Sequence, residues 1–374
     1  MAGVSGHPPA KGVEKDAHGQ IVGSAGPATD PPHTNTFSST FPGAMPAAAL
    51  QCLAFENMPP GEQLRTRGFV HFRNCFTPEF IEELRVFVDE SEQGVAKYYP
   101  EGTKNFSKPS GQGNVFQGDQ LSISFREEAK SAPAMACGSA LARLVAWPRS
   151  IEALRRCGVA KPKLWAGYIL SKGAGGPPLY WHQDWLFWND EQETKGDTAY
   201  QLFGMIYLCR TRVHNGCLKV LPYSHHYRTP QHDHNGHSGW QDQGADLLGE
   251  KAEIFANPPE AVDVHAEIGD FIVGDSRCLH SAHPNQSDER RTCVTLWYLN
   301  DYEQLHPGMQ RLYASPWYAG WSSGLSAEDA ALVAPLRPLP PPADTVPAEG
   351  SRGPVLEFLR GNRTTDGGGA KSKL

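Results

Sequence analysis

Nowhere in the 374 residues does an apolar run approach the ~18 positions of a membrane-spanning helix, and none of the eight cysteines pairs as CxxC. The first absence excludes a helical membrane span. The second argues against a zinc ribbon or a dithiol redox motif, and with no signal-peptide pattern it points to a reducing intracellular compartment. A basic block is also missing: the net charge is −7 with scattered Lys and Arg, so no nucleic-acid partner is expected. No internal repeat is found. Residues 1–45 contain no arginine and hardly an aromatic residue, and Glu14, Asp16 and Asp30 speak against a transit peptide. Such a Gly-, Pro- and Ser-rich stretch buries too little apolar surface to offset its ordering entropy, and disorder is expected there.

What remains is 39% hydrophobic overall, enough for a substantial core. A single domain is expected over residues 46–335, followed by a Pro/Gly-rich tail over 336–374. Ala47–Phe55 reads as a short helix and Gly68–Phe76 as a strand. Thr77-Pro78-Glu79 supplies an N-cap, a proline at the first helical position and an acid in the first turn. Phe80, Leu84 and Phe87 follow at helical spacing, with Ile81 and Val88 widening the stripe, so the pattern predicts a helix over 78–92. Polar, Gly-rich 99–120 reads as a loop near a site mouth, and further helices are expected at 134–146 and 149–157. From Lys163 onward, short aromatic and β-branched runs alternate with Gly, Pro, Asn and Asp. Strands after a helical layer predict a mainly β jelly roll with flanking helices.

The chemistry concentrates in two segments. His182-Gln183-Asp184 lies in a strand-like stretch, where i and i+2 share a face, so His182 and Asp184 can enter one cavity while Gln183 points elsewhere. One imidazole and one carboxylate are two thirds of a facial triad, the ligand set that leaves open positions on Fe(II). By itself the HxD spacing is permissive and also suits a half-exposed strand pair. Farther on, His280 follows a turn, Asn285 lies five residues later, and Arg291 opens the next strand. An oxygenase using a keto-acid cosubstrate needs a third ligand and a guanidinium that pairs twice with the distal carboxylate.

Together, WHQD (181–184), NGCLKVLPYSH (215–225) and the His280-to-Arg291 segment HSAHPNQSDERR resemble the phytanoyl-CoA dioxygenase-like Fe(II)/2-oxoglutarate oxygenases over Gly68–Tyr298. The resemblance implies a double-stranded β-helix, a cupin-like jelly-roll barrel. It also implies Fe(II), 2-oxoglutarate and O2, with ascorbate as a stimulant. Carried over by position, His182, Asp184 and His280 are the implied metal ligands and Arg291 the cosubstrate anchor, the family spacing selecting it over Arg290. Tyr168 and Gln183 fall at cosubstrate-contact positions. Tyr223 stands where the family has Gly. Ala282 stands where relatives place a Ser that bonds the cosubstrate. Because Asp184 is a carboxylate, no ligand position is vacated for chloride, which argues against a halogenase.

Competing readings accompany these. His283 is an alternative distal ligand, read here as exposed or supporting. His225, His226, His232, His234 and His237 invite a zinc reading, but no Cys lies among them, and a solvated loop near the barrel mouth is expected. Cys209, Cys217, Cys278 and Cys293 read as ordinary buried thiols. Trp185 and Trp188 are candidates for a substrate wall. The expected reaction is C–H hydroxylation of an acyl-CoA or fatty-acyl substrate with release of succinate and CO2. Lys97, Lys104, Lys108 and Arg126 are candidates for a phosphate-binding mouth. A small polar or cationic metabolite held by aromatic rings is the alternative substrate, and a non-catalytic ligand-binding barrel is the alternative class. Ser372-Lys373-Leu374 reads as a peroxisomal import signal, implying an import receptor and a peroxisome, glycosome or glyoxysome.

Overall fold

The computed structural model describes residues 58–96, 115–117, 120–124, 139–176, 178–185, 199–226, 229–233, 256–314 and 325–347. The segment 1–45, the helix expected at 47–55, Trp188, His234, His237, the four candidate mouth cations and the final tripeptide lie outside them. Among the described residues no helix is long and apolar enough to cross a membrane.

Helices come first. Helix α1 (Pro60–Arg67) ends on Gly68, whose φ of 90° turns the chain into strand β1 (Phe69–Phe72). Asn74 takes a left-handed φ of 51°, so the strand is shorter than the expected 68–76. Helix α2 (Pro78–Ala96) forms where the apolar stripe predicted it, and Thr77 Oγ1 accepts from the Phe80 amide 3.3 Å away. Strands β2 (Val115–Gln117) and β3 (Gln120–Ser124) form a hairpin, so the expected loop over 99–120 is in part a strand. Helices α3 (Ser139–Val145) and α4 (Pro148–Arg156) fall within the stretches expected to be helical, 134–146 and 149–157, with 134–138 outside the described residues.

Eight strands follow: β4 (Lys163–Lys172), β5 (Leu179–His182), β6 (Gln201–Tyr207), β7 (Leu218–Val220), β8 (Val262–Val264), β9 (Phe271–Asp275), β10 (His280–Ala282) and β11 (Arg291–Leu299). They build two antiparallel sheets, a seven-stranded one in the order β1-β9-β6-β11-β4-β3-β2 and a four-stranded one in the order β5-β10-β7-β8. The architecture is a jelly roll with flanking helices.

Period-two alternation sorts the side chains into two layers. On β6, Leu202 and Ile206 pack outward with Ile81, Leu84, Leu144 and Leu154 of the helices, while Phe203, Met205 and Tyr207 turn inward. Leu218, Val220 and Val264 of the smaller sheet complete that inner cluster. Helices cover the outer face of the large sheet, which is why its strands are apolar on both sides. Helix α5 (Pro307–Tyr313) joins Trp185, Leu299, Tyr302 and Leu305 in a further buried cluster. Helix α6 (Ala327–Val333) adds Val333 to the outer core. The proline-rich stretch after it begins docked: Leu336 is buried, and Tyr302 Oη donates to the Leu339 carbonyl at 2.8 Å.

Candidate metal centre

His182 closes β5 and His280 opens β10, and the two residues are direct partners across the antiparallel pair. Their rings lie 4.2 Å apart between centroids. Asp184 is placed differently from expectation. The strand stops at His182, so alternation does not bring the carboxylate back; tertiary bonds do. The Asp184 amide donates to the Ser276 carbonyl at 2.8 Å, and its own carbonyl accepts from Gln201 Nε2 at 3.1 Å. Trp297 Nε1 donates to Asp184 Oδ2 at 2.7 Å. The carboxylate then stands 3.6 Å from His182 Nε2 and 3.4 Å from His280 Nε2.

Both imidazoles are oriented alike. His182 Nδ1 lies 3.0 Å from the Tyr180 carbonyl and His280 Nδ1 lies 3.0 Å from the Cys278 carbonyl. A proton on each Nδ1 satisfies those carbonyls and leaves the Nε2 lone pairs aimed at the gap beside Asp184, the arrangement that ligand histidines need. Burial alone would raise the Asp184 pKa, but His280, His182 and the Trp297 hydrogen bond outweigh it and hold the carboxyl well below its usual range. An ionised carboxylate and two imidazole nitrogens, all within 4.8 Å of one another, fit a divalent metal with part of its coordination sphere open. These are the three ligands the sequence points to.

The two neighbouring arginines separate by strand face. Arg290 turns outward, pairing with Asp89 of α2 at 2.5 Å and with Glu92. Arg291 turns inward and is buried, its Nε without a hydrogen-bond partner. Its Nη1 reaches Cys293 Sγ at 3.3 Å and its guanidinium lies 5.7 Å from the Tyr207 ring centre. Directly across the ladder is Lys172, 1% exposed, whose Nζ donates to the His283 carbonyl at 2.8 Å. Burial first, then the Arg291 charge, pushes the Lys172 ammonium well below the usual lysine range. Among the described residues neither cation has a carboxylate partner. A buried guanidinium with no counter-ion is a strong demand for an anion. Gly216 borders this pocket with φ 89°, and a Cβ there would stand 3.5 Å from Arg291 Nε and from Lys172 Cδ.

The remaining candidates divide. Tyr168 lies on β4 with its ring edge-on to Trp297, centroids 5.4 Å apart, one ring removed from Asp184. Gln183 is buried, and its Nε2 donates to the Arg277 carbonyl at 2.5 Å, bracing the turn that holds Asp184. Trp185 is a correction: it is 1% exposed within the Tyr302–Leu305–Met309 cluster, a core residue rather than a substrate wall. Asn285 is a structural knot, its Nδ2 donating to the carbonyls of Lys172, Gly173 and Glu289. The histidine-rich stretch is not a solvated loop where it is described, since His225 and His232 are buried. His225 and His226 both approach the Arg65 carbonyl. Cys217, Cys278 and Cys293 are buried free thiols as expected, and Cys209 is half-buried. Tyr223, standing where a glycine is usual, has φ 66°, a left-handed backbone that a bulky side chain rarely adopts. Trp297 and Lys172 were missed from sequence. Counting by twos from Arg291 through Cys293 and Thr295 reaches Trp297 on the inner face and would have found it.

The family model for phytanoyl-CoA dioxygenase (PhyH) matches residues 64–293. A curated relative, the "probable alpha-ketoglutarate-dependent hypophosphite dioxygenase" of Stutzerimonas stutzeri, is 28% identical over 173 residues, 42% of this chain. The match takes in 52% of that relative, so the chain spans about half of its length. Among solved structures, the epimerase SnoN from nogalamycin biosynthesis is 19% identical with a TM-score of 0.42, over 68% of this chain and 84% of that one. AviO1 from Streptomyces viridochromogenes Tue57 is 20% identical with a TM-score of 0.42, over 65% and 94%. The family match takes in more than half of the chain, including His182, Asp184, His280 and Arg291, and the chain belongs to the phytanoyl-CoA dioxygenase family.

Proposed function

We propose that this protein is an Fe(II)/2-oxoglutarate-dependent dioxygenase that hydroxylates a C–H bond of an acyl-CoA or fatty-acyl substrate. The observation that carries the class is the pairing of an oriented His182–Asp184–His280 triad with the buried, anion-seeking Arg291 inside one barrel. Bound Fe(II) with 2-oxoglutarate supplies the oxidative chemistry, coupling decarboxylation of the cosubstrate to succinate with insertion of oxygen into the substrate.

The chain's own residues do the rest. His182, Asp184 and His280 hold the cation on one side and leave the other side free for ligands. Arg291 would bind the far carboxylate, with the Lys172 amine beside it as a hydrogen-bond donor, and this would fix the cosubstrate's direction in the barrel. Trp297 and Ser276 keep Asp184 in place, while Phe203, Met205 and Tyr207 keep the inner surface dry. The acyl-CoA choice rests on family membership and on Ser372-Lys373-Leu374 as an organelle address. For the cationic-metabolite alternative, Trp188 is the remaining candidate ring, Trp185 being packed in the core.

The test is anaerobic loading with Fe(II) and 2-oxoglutarate, then admission of O2 with acyl-CoA thioesters, quaternary amines or hypophosphite, read as succinate released. Acyl-CoA should stimulate succinate formation most. Stimulation by hypophosphite or amines alone would move the substrate, and no oxygen uptake with any of them would leave a ligand-binding barrel. A fluorescent fusion bearing the last ten residues should enter peroxisomes and lose that distribution without Leu374.

A further inference from the structure

Outside the barrel triad, the described residues contain one other convergence of metal-ligating side chains: Cys217, Asp263 and His283. Each comes from a different part of the four-stranded sheet. Cys217 immediately precedes β7, Asp263 is the middle residue of β8, and His283 immediately follows β10. Their relative positions are set by strand pairing. Lys219 pairs with Asp263, Leu218 with Ala282, and the His283 amide donates to the Cys217 carbonyl at 3.0 Å. One ligand atom from each side chain lies within 4.8 Å of the other two.

A histidine–carboxylate hydrogen bond accounts for only part of this arrangement. His283 Nε2 and Asp263 Oδ1 are 2.6 Å apart, an ordinary polar contact. The pair does not explain a thiol, the softest donor in the chain, brought to the same point. The side chains of Asp263 and His283 keep 40% and 12% exposure, so a cation has a path in and room for a water ligand. Cys217 is fully buried behind them.

We propose that Cys217, Asp263 and His283 form a second metal site, one for a borderline-soft divalent cation of the zinc type. Sulfur, nitrogen and oxygen donors together select Zn2+ over Mg2+ or Ca2+, which take oxygen sets. Tetrahedral zinc with ~2.0–2.3 Å bonds separates its ligands by about 3.5 Å, so the His283–Asp263 contact opens by about 1 Å, a movement the exposed Asp263 side chain accommodates. The thiol gives up its proton to solvent as the Zn–S bond forms, and the fourth position is left to water. This site is separate from the iron triad: it has a sulfur ligand and the triad has none.

That difference provides the experiment. Chelator-treated, full-length protein is titrated anaerobically with Co2+, whose bonds to thiolate give a near-ultraviolet charge-transfer band that His/Asp coordination does not. The parent protein and His280→Ala should both develop the band, saturating at one thiolate-bound cobalt, and Zn2+ should abolish it. Cys217→Ser should lose the band while still binding cobalt in the barrel. Asp263→Asn, at an exposed position, should shift the titration to at least tenfold higher Co2+, no less than loss of an outer-shell partner costs elsewhere. A parent without the band, a band that persists in Cys217→Ser, or an Asp263→Asn titration matching the parent each overturns the site. Should Cys217→Ser fail to fold, the Asp263→Asn titration decides.

Discussion

Strand β11 of the large sheet runs nine residues and pairs along most of its length with both β4 and β6, whereas β5, β7 and β10 of the small sheet have three or four residues each. The long strands are buried on both faces and carry Arg291, Lys172 and Trp297 at fixed inward positions. The short strands place chemistry at their ends, with His182 the last residue of β5 and His280 the first of β10. Arg291, the first residue of β11, and Lys172, the last of β4, also stand where a ladder ends, and only Trp297 is hemmed in by neighbours along both paired strands. The large sheet is thus a long-laddered frame that carries Arg291 and Lys172 and, through Gln201 and Trp297, holds Asp184, while the short strands are levers that carry the two imidazoles.

The sharpest break of this division is removal of a lever. His280→Ala or Asp184→Ala should abolish Fe(II)-dependent succinate formation, since a three-ligand centre has none to spare, while His283→Ala should retain most of it. Loss of turnover in His283→Ala with activity kept in His280→Ala would place the distal ligand three residues later.

Next in size is an acid sensitivity in the turn beyond β7. Burial first, then the neighbouring His226, lowers the His225 pKa from about 6.5 to about 3. Between those values the unfolded chain binds a proton that the folded chain does not, so stability falls as pH drops through that window. The loss is on the order of a few kcal/mol. Urea unfolding at pH 7 and pH 4 should show a larger drop for the parent than for His225→Gln. Equal drops would locate the acid sensitivity elsewhere.

The frame itself is tested by Gly274→Ala. A Cβ at Gly274 would lie 2.0 Å from Phe203 Cζ, and overpacking of this kind costs about 1–3 kcal/mol. The melting temperature should fall by several degrees; no change would mean that Phe203 yields and the frame is softer than its pairing implies.

Smaller still, Arg291→Lys should raise the apparent KM for 2-oxoglutarate about tenfold, because one point charge replaces a two-pronged contact. Arg290→Lys should leave that KM unchanged, its partners Asp89 and Glu92 lying on the outer face. Equal KM effects would contradict the strand register. A change of similar size is Trp297→Phe, which keeps the ring and removes one hydrogen bond to the Asp184 carboxylate, a loss of about 1.5 kcal/mol. Iron affinity should weaken about tenfold, and an unchanged affinity would show that Ser276 and Gln201 suffice to hold the carboxylate.

Much of this was legible in the chain itself. Phe80, Leu84 and Phe87 announce α2 through helical spacing, and the aromatic runs after Lys163 announce the strands through period two, because both patterns are local consequences of backbone geometry. The opposite facing of Arg290 and Arg291 follows from the same local rule, whereas His182, Asp184, His280 and Arg291 stand out as a set through the resemblance of their motifs to the family. Three things required the folded chain. Asp184 reaches the two imidazoles through Ser276, Gln201 and Trp297, partners 17 to 113 residues away whose meeting no spacing encodes. Trp185, alike in sequence to a substrate-facing ring, is buried because α5 folds back over it. Cys217, Asp263 and His283 converge only because β7 lies between β8 and β10. Periodicity decides which face a side chain occupies, but which faces meet is decided by sheet pairing, a non-local choice made by the whole core.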